Sequence, residues 1–365
     1  MKLALTGAGG FLGWHTRILA FARGIKEVET IKLGDHFDLQ SVTSAVESVD
    51  RLVHLAGINR ASDEEVEQGN RLLAEQLVGA LEAATNPPRV VVYASSIQAD
   101  LDNPYGRGKR VAAEILALTC TNLGIQFIEL KLPNLFGEEG RPFYNSVVAT
   151  FAHQVVQGMP LTVKEDRELS LMHAQEAARL ILDATSDSDI SSSQVRKVAV
   201  SVIAEVFIDF HEKYERGEIP DISMPFMRDL FNVYRAASFA KRAKISLEPK
   251  RDDRGFLVET LKSHGGEGQT FFSTTKPGVT RGDHYHLRKV ERFIVLAGHG
   301  KICLRKMFTD EVTEIIVNGD ELSAVDMPIG WVHNLTNTGN SEVLTQFWTN
   351  EIFNLSDTDT FYEKV

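Results

Sequence analysis

Three residues in the first third of the chain have types and a spacing suited to proton transfer. Tyr105 and Lys109 stand four residues apart, so on a helix both side chains lie on one face. A nearby ammonium lowers the pKa of a phenol, which could then exchange a proton with a substrate hydroxyl or carbonyl oxygen. Ser96 ends an apolar run and could hold the same oxygen during hydride transfer. The set predicts oxidoreductase chemistry; the alternative is a solvated Tyr–Lys pair.

A glycine-rich segment near residue 10 predicts a dinucleotide site. Gly7, Gly10 and Gly13 follow a short apolar strand and open a helical stretch. Glycines at such a turn let the backbone approach a pyrophosphate, which sits at the N-terminus of the helix. The alternative is a glycine turn with a purely structural role.

The residues after the glycines leave the choice between NAD and NADP open. Asp35 follows Gly13 after 21 intervening residues, where an acid normally binds the ribose hydroxyls of NAD. Lys32, His36 and Arg60 could instead hold the 2′-phosphate of NADP.

Four residues in the last third form a pattern typical of a metal site. His284 and His286 are two residues apart, so on a strand both side chains point to the same face. Glu291 and His333 complete a set of three histidines and one carboxylate, which suits zinc, iron, manganese or nickel. The alternative is a metal-free site in which a histidine acts as a base.

Two kinds of secondary structure are expected to position these residues. Short apolar runs alternate with helical patterns up to residue 244, which predicts an α/β domain with a Rossmann-like, doubly wound parallel sheet. Beyond it, short strands with glycine turns predict an antiparallel all-β sandwich or barrel. The predicted domains are 1–244 and 245–365.

Composition argues against several classes of partner. The 365 residues carry a formal net charge of −11, which disfavours bulk binding to nucleic acid or to an anionic membrane. No apolar run approaches the length of a membrane span. Cys120 and Cys303 are far apart, so a disulfide framework is not expected and a reducing cytoplasm fits.

The first 240 residues resemble the extended short-chain dehydrogenases/reductases, most of which act on nucleotide sugars. The resemblance is carried by the glycines, the turn 54–57, Ser96, Tyr105 with Lys109, and the run 133–137. No acid–base pair follows Ser96, which favours a reductase or a 4-epimerase over a dehydratase. The cofactor residues expected from spacing and resemblance are Gly7, Gly10, Phe11, Leu12, Gly13, Asp35, His36, Leu55, Ala56, Gly57, Arg60, Tyr105, Lys109 and Pro133. Those expected to meet the sugar nucleotide are Asn134, Arg141, Tyr144 and Asn145.

The last third resembles the cupin (jelly-roll) barrel in its two histidine motifs, 278–298 and 328–337, although the second lacks its leading glycine. Segments 252–259 and 281–285 also resemble the metal-free deoxysugar epimerases. His284 is therefore a ligand, a base, or a ligand descended from a base. Lys276, Tyr285 and Glu291 are candidate bases or proton donors for C3, although Lys276 also fits a solvated surface lysine. Arg254 and Arg281 are expected to hold the sugar nucleotide.

Along nearly its whole length the chain resembles the CapF-type bifunctional enzymes of capsular polysaccharide synthesis. The resemblance is carried by segments 54–60, 95–99, 102–106, 133–137, 144–147, 252–256, 276–278 and 350–351. It implies a homodimer whose zinc-binding cupin epimerises C3 of a UDP-linked 4-keto-6-deoxy amino sugar, and whose N-terminal domain reduces C4 with NADPH rather than NADH. Two alternatives stay open: an NAD(P)-dependent reductase or epimerase with a purely structural cupin, and a sensor that binds NAD(P) and a sugar nucleotide without turnover.

Overall fold

The computed structural model describes all 365 residues, which group into two compact units. The first comprises Met1–Phe136, Phe143–Ser146 and Glu168–Val198, and the second comprises Gly137–Pro142, Val147–Arg167 and Ala199–Val365. This grouping is discontinuous along the chain, whereas the predicted boundary at 244/245 is a single cut. That boundary stays a prediction.

A five-stranded parallel sheet forms the centre of the first unit. Its strands are β1 (Leu3–Thr6), β2 (Val28–Ile31), β3 (Arg51–His54), β4 (Val90–Ser96) and β5 (Gln126–Leu132), in the order β2-β1-β3-β4-β5. Ala4 and Leu5 are both fully buried although alternate residues point to opposite faces, so both faces of the sheet are covered. The strand order reverses between β1 and β3, and ligands bind outside the carboxyl ends of strands at such a point. The predicted Rossmann-like sheet is confirmed.

Eight helices accompany the sheets. They are α1 (Phe11–Ala22), α2 (Leu39–Val46), α3 (Asp63–Ala83), α4 (Pro104–Leu123), α5 (Val147–Val156), α6 (Ala174–Asp183), α7 (Val200–Glu215) and α8 (Pro225–Lys241). Helices α2, α3 and α4 share one buried cluster with residues of β1, β3 and β4. A separate small sheet has the order β6-β7-β8, with β6 at Asn134–Phe136, β7 at Glu168–His173 and β8 at Arg196–Ala199. None of the helices combines the length and apolar character that crossing a membrane requires.

Antiparallel strands make up most of the second unit. They are β9 (Ile245–Ser246), β10 (Lys250–Asp252), β11 (Gly255–Leu257), β12 (Gln269–Thr275), β13 (Thr280–Tyr285), β14 (Glu291–Ala297), β15 (His299–Lys306), β16 (Val312–Asn318), β17 (Ser323–Met327), β18 (Trp331–Asn337), β19 (Val343–Thr349) and β20 (Phe361–Tyr362). Two five-stranded sheets have the orders β12-β19-β14-β17-β9 and β16-β15-β18-β13-β20, and β10 pairs with β11 alone. One apolar core draws residues from both large sheets. The predicted antiparallel all-β fold is confirmed, and the jelly-roll assignment stays a prediction.

A buried ion pair fastens helices α7 and α8 to these strands. Arg292 of β14 meets Asp326 of β17 in a bidentate pair with N–O distances of 2.7 and 2.9 Å. Tyr214 of α7 donates to the same carboxylate at 2.8 Å, and Arg235 of α8 donates to the Met327 carbonyl at 2.9 Å. Removing one member of a buried pair typically costs about 3–5 kcal/mol, because the other charge is left unpaired. These contacts join both helices to the antiparallel strands of the second unit.

Candidate functional site

The glycine loop joins β1 to α1 at the switch point of the parallel sheet. Gly7 has φ +68°, and a Cβ there would lie 2.7 Å from the Ala56 nitrogen in the loop after β3. A Cβ on Gly13 would lie 2.2 Å from the Gly7 carbonyl oxygen. The first turn of α1, with Phe11 and Leu12, has neither a side-chain cap nor an acidic residue. Its backbone N–H groups therefore suit an anionic ligand.

We expect Gly13→Ala to destabilise the first unit, because the new methyl group cannot fit beside the Gly7 carbonyl. Overpacking of this kind costs about 1–3 kcal/mol or more. Gly9→Ala is the matched control, since a Cβ there meets nothing within 4 Å. Calorimetry of the ligand-free proteins should show a lower melting temperature for Gly13→Ala alone. Equal melting temperatures would contradict this account of the turn.

A hydrogen-bond cluster joins the ends of β1 and β3. The Thr6 hydroxyl accepts bonds from the Leu55 and Ala56 nitrogens, both at 3.1 Å, and therefore donates to His54 Nδ1 at 2.7 Å. Burial, aided by Lys109, lowers the pKa of His54 to about 3, so the imidazole is neutral. Thr6 and His54 hold the predicted cofactor segment 55–57 in place. The sequence analysis did not identify this role, although the two residues share one register row of the sheet.

The structure brings Ser96, Tyr105 and Lys109 together. Helix α4 begins at Pro104, because the Asn103 side chain caps it by accepting from the Gly106 nitrogen at 2.8 Å. Tyr105 therefore lies in the first turn, beside the end of β4, where the Ser96 side chain is near enough to act on the pKa of its phenol. Lys109 Nζ lies 6.0 Å from the centre of the Tyr105 ring.

The expected lowering of the pKa of Tyr105 by Lys109 is not observed, because burial dominates both groups. Burial raises the pKa of Tyr105, and the Ser96 side chain offsets this rise only in part. Lys109 Nζ donates to the Ala94 carbonyl at 2.9 Å rather than to the phenol. Burial also lowers the pKa of Lys109 to about 8. At neutral pH the phenol thus keeps its proton, which suits an acid that donates to a substrate oxygen.

The buried Lys109 makes the stability of the first unit depend on pH. Between pH 8 and 10.5 the unfolded chain holds a proton that the folded chain has released, so the free energy of unfolding rises with pH. Below pH 8 the penalty is about 3 kcal/mol at most. Lys109→Met removes it and loses one hydrogen bond worth about 1 kcal/mol. We expect calorimetry to show a more stable but inactive variant at pH 7, with the advantage shrinking by pH 10. A less stable variant at pH 7 would contradict this.

The residues proposed to discriminate NAD from NADP lie in different places. Asp35 and His36 are exposed and follow β2, at the same edge of the sheet as the glycine loop. Arg60 donates to the Phe143 carbonyl at 2.5 Å and to the Tyr144 carbonyl, and lies 5.8 Å from the centre of the Tyr144 ring. Arg60 is thus engaged with the segment that was predicted to meet the substrate.

The remaining predicted residues of this region follow β5. Pro133 is buried, and Asn134 opens β6 with its amide donating to the Ser170 carbonyl at 3.2 Å. Tyr144 and Asn145 belong to the first unit, whereas Arg141 belongs to the second. Asn134, Arg141 and Asn145 are exposed and Tyr144 is half-buried.

The four predicted metal ligands converge in the second unit. Their ligand atoms all lie within 4.8 Å of one another. His286 Nε2 and His333 Nε2 each lie 3.1 Å from Glu291 Oε2, and His284 Nε2 lies 3.8 Å from it. His284 is the penultimate residue of β13, which pairs with β18 at His333, and Glu291 begins β14. The His284 side chain is 18% exposed and the other three are at most 8% exposed, so His284 is the most accessible ligand.

The hydrogen bonds around the cluster indicate that it fits a cation. His286 Nδ1 lies 2.6 Å from the Asp359 carbonyl oxygen, and His333 Nδ1 lies 3.1 Å from the Trp331 carbonyl oxygen. A carbonyl only accepts, so each Nδ1 carries a proton, and in its neutral form each ring presents an Nε2 lone pair to the carboxylate. Converging lone pairs need a positive charge between them. Ligands around a tetrahedral zinc ion lie about 3.3 Å apart, close to these spacings.

In the protein alone, the carboxylate of Glu291 favours a proton on His286. Burial acts to lower the pKa of His286, but the carboxylate of Glu291 outweighs it and raises that pKa. Burial lowers the pKa of His333 to about 4. Burial would raise the pKa of Glu291, but its three histidine neighbours hold it well below its usual range. The carboxylate of Glu291 is therefore ionised. A divalent cation bound between the four side chains would take the place of the proton that this carboxylate favours on His286.

Three further candidates are not gathered at this cluster. Lys276 is exposed in the turn before β13, and this turn pairs with Asn337, the last residue of β18. Asn337 lies four residues beyond His333 on the same strand, which corresponds to about 13 Å. Arg281 is exposed on β13, and Arg254 lies on the exposed β10–β11 hairpin, paired with Asp252. Burial raises the pKa of Tyr285, which disfavours it as a base.

Comparison with known proteins gives matches along the whole chain. The model of the NAD dependent epimerase/dehydratase family matches residues 3–195, and that of the polysaccharide biosynthesis C-terminal domain matches residues 250–361. A UDP-2-acetamido-2,6-beta-L-arabino-hexul-4-ose reductase from Pseudomonas aeruginosa is 32% identical over 370 residues, which cover 99% of this chain and 98% of the relative.

Solved structures give a consistent result. The capsular polysaccharide assembling protein CapF from Staphylococcus aureus is 30% identical and aligns over 100% of both chains with a TM-score of 0.63. A UDP-N-acetylglucosamine 4-epimerase from Bacillus cereus is 21% identical, covers 58% of this chain and 82% of its own, and has a TM-score of 0.50, which speaks for the fold alone.

Proposed function

Because the chain belongs to the NAD dependent epimerase/dehydratase family, we propose that it is a bifunctional nucleotide-sugar enzyme. Its C-terminal domain epimerises C3 of UDP-2-acetamido-2,6-dideoxy-β-L-arabino-4-hexulose. Its N-terminal domain then reduces the C4 ketone to give UDP-2-acetamido-2,6-dideoxy-β-L-talose, a precursor of UDP-N-acetyl-L-fucosamine for surface polysaccharide. The observation that carries the proposal is the presence, in one chain, of a Ser96–Tyr105–Lys109 set and a buried cluster of three histidines and one carboxylate.

The first set supports the reduction step. When bound in the first unit, NADPH would supply a hydride for C4. Tyr105 donates its proton to the C4 oxygen, and its raised pKa keeps that proton available at neutral pH. Ser96 holds the same oxygen by a hydrogen bond. Lys109 lies beside Gly57, where a Cβ would come within 3.2 Å of its Nζ, so the lysine faces the predicted cofactor segment. Asn134 would orient the substrate or the nicotinamide.

The histidine cluster supports the epimerisation step. A zinc ion held by His284, His286, Glu291 and His333 would supply charge stabilisation for the enolate formed when C3 loses its proton. His284 is the most accessible of the four, so substrate would approach on its side. Arg281, exposed on the same strand, would hold the diphosphate of the nucleotide. Lys276 is not part of this step, because it lies in the turn at the other end of β12 and β18.

Cofactor, partner and location complete the proposal. NADPH is proposed over NADH because the chain resembles CapF. Two residues do not add support: Asp35, whose type favours NADH, is exposed beyond the end of β2, and Arg60 bonds the Phe143 and Tyr144 carbonyls. A homodimer is supported by the exposed side chains of Phe256, Leu257, Phe271 and Phe272. Cys120 and Cys303 are free and buried, which fits the reducing cytoplasm.

Product analysis tests the proposal against the two simpler functions. The purified enzyme is incubated with the 4-keto sugar nucleotide and NADPH, and the product is identified by NMR. We expect many turnovers to a sugar with inverted C3 and a hydroxyl at C4. A reduced sugar with unchanged C3 would indicate a reductase with a structural C-terminal domain. Absence of turnover with binding of both ligands would indicate a sensor.

A further inference from the structure

The loop that carries His286 is held in place by residues close to the C-terminus. Asp359 is only 4% exposed, and its carboxylate accepts three consecutive backbone N–H groups of that loop. Oδ1 accepts from the Leu287 nitrogen at 3.2 Å, and Oδ2 accepts from the Arg288 and Lys289 nitrogens at 3.0 and 2.8 Å. One buried side chain thus satisfies three backbone donors of this turn.

The main chain of Asp359 contacts the metal cluster directly. Its carbonyl oxygen accepts the proton of His286 Nδ1 at 2.6 Å. Its φ is +45°, in the left-handed region that aspartate tolerates better than most residues. This backbone conformation allows the carboxylate to reach the loop while the carbonyl reaches the imidazole. The two functions are therefore fixed by a single residue.

Neighbouring residues join the same segment to the loop after His286 and to strand β13, which carries His284. Lys289 Nζ donates to the Thr358 carbonyl at 2.6 Å and contacts the Thr360 hydroxyl at 3.4 Å. Strand β20 then pairs with β13, with Phe361 opposite Tyr285 and Tyr362 opposite His284. We call residues 358–362 the C-terminal strap.

His286 and His333 differ in how their rings are oriented. His333 Nδ1 bonds the Trp331 carbonyl two residues away on its own strand, whereas His286 bonds a carbonyl 73 residues away. The partner of the second ring nitrogen fixes the tautomer and orientation of a ligating histidine, and losing such a partner costs about 10–100-fold in metal affinity. His286 depends on a remote segment for this orientation.

We propose that Asp359, through the C-terminal strap, is a positioning residue that orients His286 for metal binding. The inference rests on the proposed zinc site and adds to it a residue outside the ligand set. Metal retention should accordingly depend on Asp359 even though its carboxylate touches no ligand atom of the cluster.

Zinc release from the full-length protein tests the inference. The protein is loaded with Zn²⁺, and the rate of release to a chromophoric chelator is measured. We expect Asp359→Asn to release zinc about 10–100-fold faster than the unchanged protein, because an amide NH₂ would face backbone donors. Asp357→Asn is the matched control: this exposed carboxylate, two residues earlier, only pairs with Arg288. Its release rate should stay within about 2-fold of the original.

A spectroscopic readout separates orientation of His286 from general stability. Co²⁺ in place of Zn²⁺ reports ligand geometry through its visible absorption bands. We expect shifted bands for Asp359→Asn and unchanged bands for Asp357→Asn. If Asp359→Asn does not fold, Lys289→Met loosens the strap from its other side and should speed zinc release about 3–10-fold.

The outcomes distinguish the two proposals. If the unchanged protein retains neither Zn²⁺ nor Co²⁺, the proposed metal site itself fails. If it retains them and Asp359→Asn shows the same release rate and the same Co²⁺ bands, the site stands and the positioning role is overturned. Faster release together with shifted bands supports both.

Discussion

Replacing Tyr105 with phenylalanine is expected to lower kcat for C4 reduction by about 10²–10⁴-fold, the usual contribution of a positioned general acid. The phenol is the member of the Ser96–Tyr105–Lys109 set placed to donate a proton, because it stays protonated at neutral pH while Lys109 Nζ is bonded to the Ala94 carbonyl. The Ser96 hydroxyl and Lys109 would remain in place, so NADPH affinity should change little. Steady-state and single-turnover kinetics with the 4-keto sugar nucleotide measure the effect.

A nearby tyrosine provides a matched control for this variant. Tyr93 is fully buried, its ring lies 4.8 Å from Lys109 Nζ, and its hydroxyl has no hydrogen-bond partner. Tyr93→Phe removes the same atom from the same neighbourhood and should leave kcat within about 3-fold of the original value. A Tyr105→Phe enzyme that keeps a tenth or more of kcat would show that another group donates the proton.

The second large effect is expected at the histidine cluster. Glu291→Gln removes the charge towards which the three histidines converge, and His333→Ala removes a ligand that is fully buried. We expect both variants to lose their zinc on dialysis and to exchange the C3 proton at least about 100-fold more slowly, because the enolate loses its charge stabilisation. Elemental analysis and NMR measure the two quantities.

Controls for these variants lie in the same chain. His299→Ala changes an exposed histidine at the start of β15 and should affect neither zinc content nor exchange. The Tyr105→Phe protein keeps its histidine cluster and should still epimerise C3. When it is added to the Glu291→Gln protein, the latter should reduce the epimerised sugar that it receives. Undiminished C3 exchange in a zinc-free Glu291→Gln protein would make the cluster a structural feature.

Local patterns in the sequence predicted which of these residues lie together in the fold. Ser96 ends a buried parallel strand and Tyr105 begins the next helix, and chain connectivity alone brings such residues to one edge of the sheet. The spacing of His284, His286 and Glu291 similarly predicted their convergence with His333. These features depend on periodicity over a few residues, which a sequence displays directly.

Features that depend on long-range packing were not predictable. The contact of Asp359 with the His286 loop joins residues about 70 positions apart, with no local pattern to mark it. Lys276 follows a strand of the same unit, but the sequence does not tell which end of β13 carries the cluster. The raised pKa of Tyr105 depends on burial by residues of several elements, so the Tyr–Lys spacing alone gave the wrong direction.

Deuterium incorporation at C3 tests the bifunctional proposal most directly. The enzyme is incubated in D₂O with the 4-keto-6-deoxy amino sugar nucleotide, with and without NADPH, and C3 is followed by NMR. We predict deuterium at C3 without NADPH, and a reduced, C3-deuterated sugar only when NADPH is added. Reduction at C4 with no deuterium at C3 would contradict the account and leave a simple reductase.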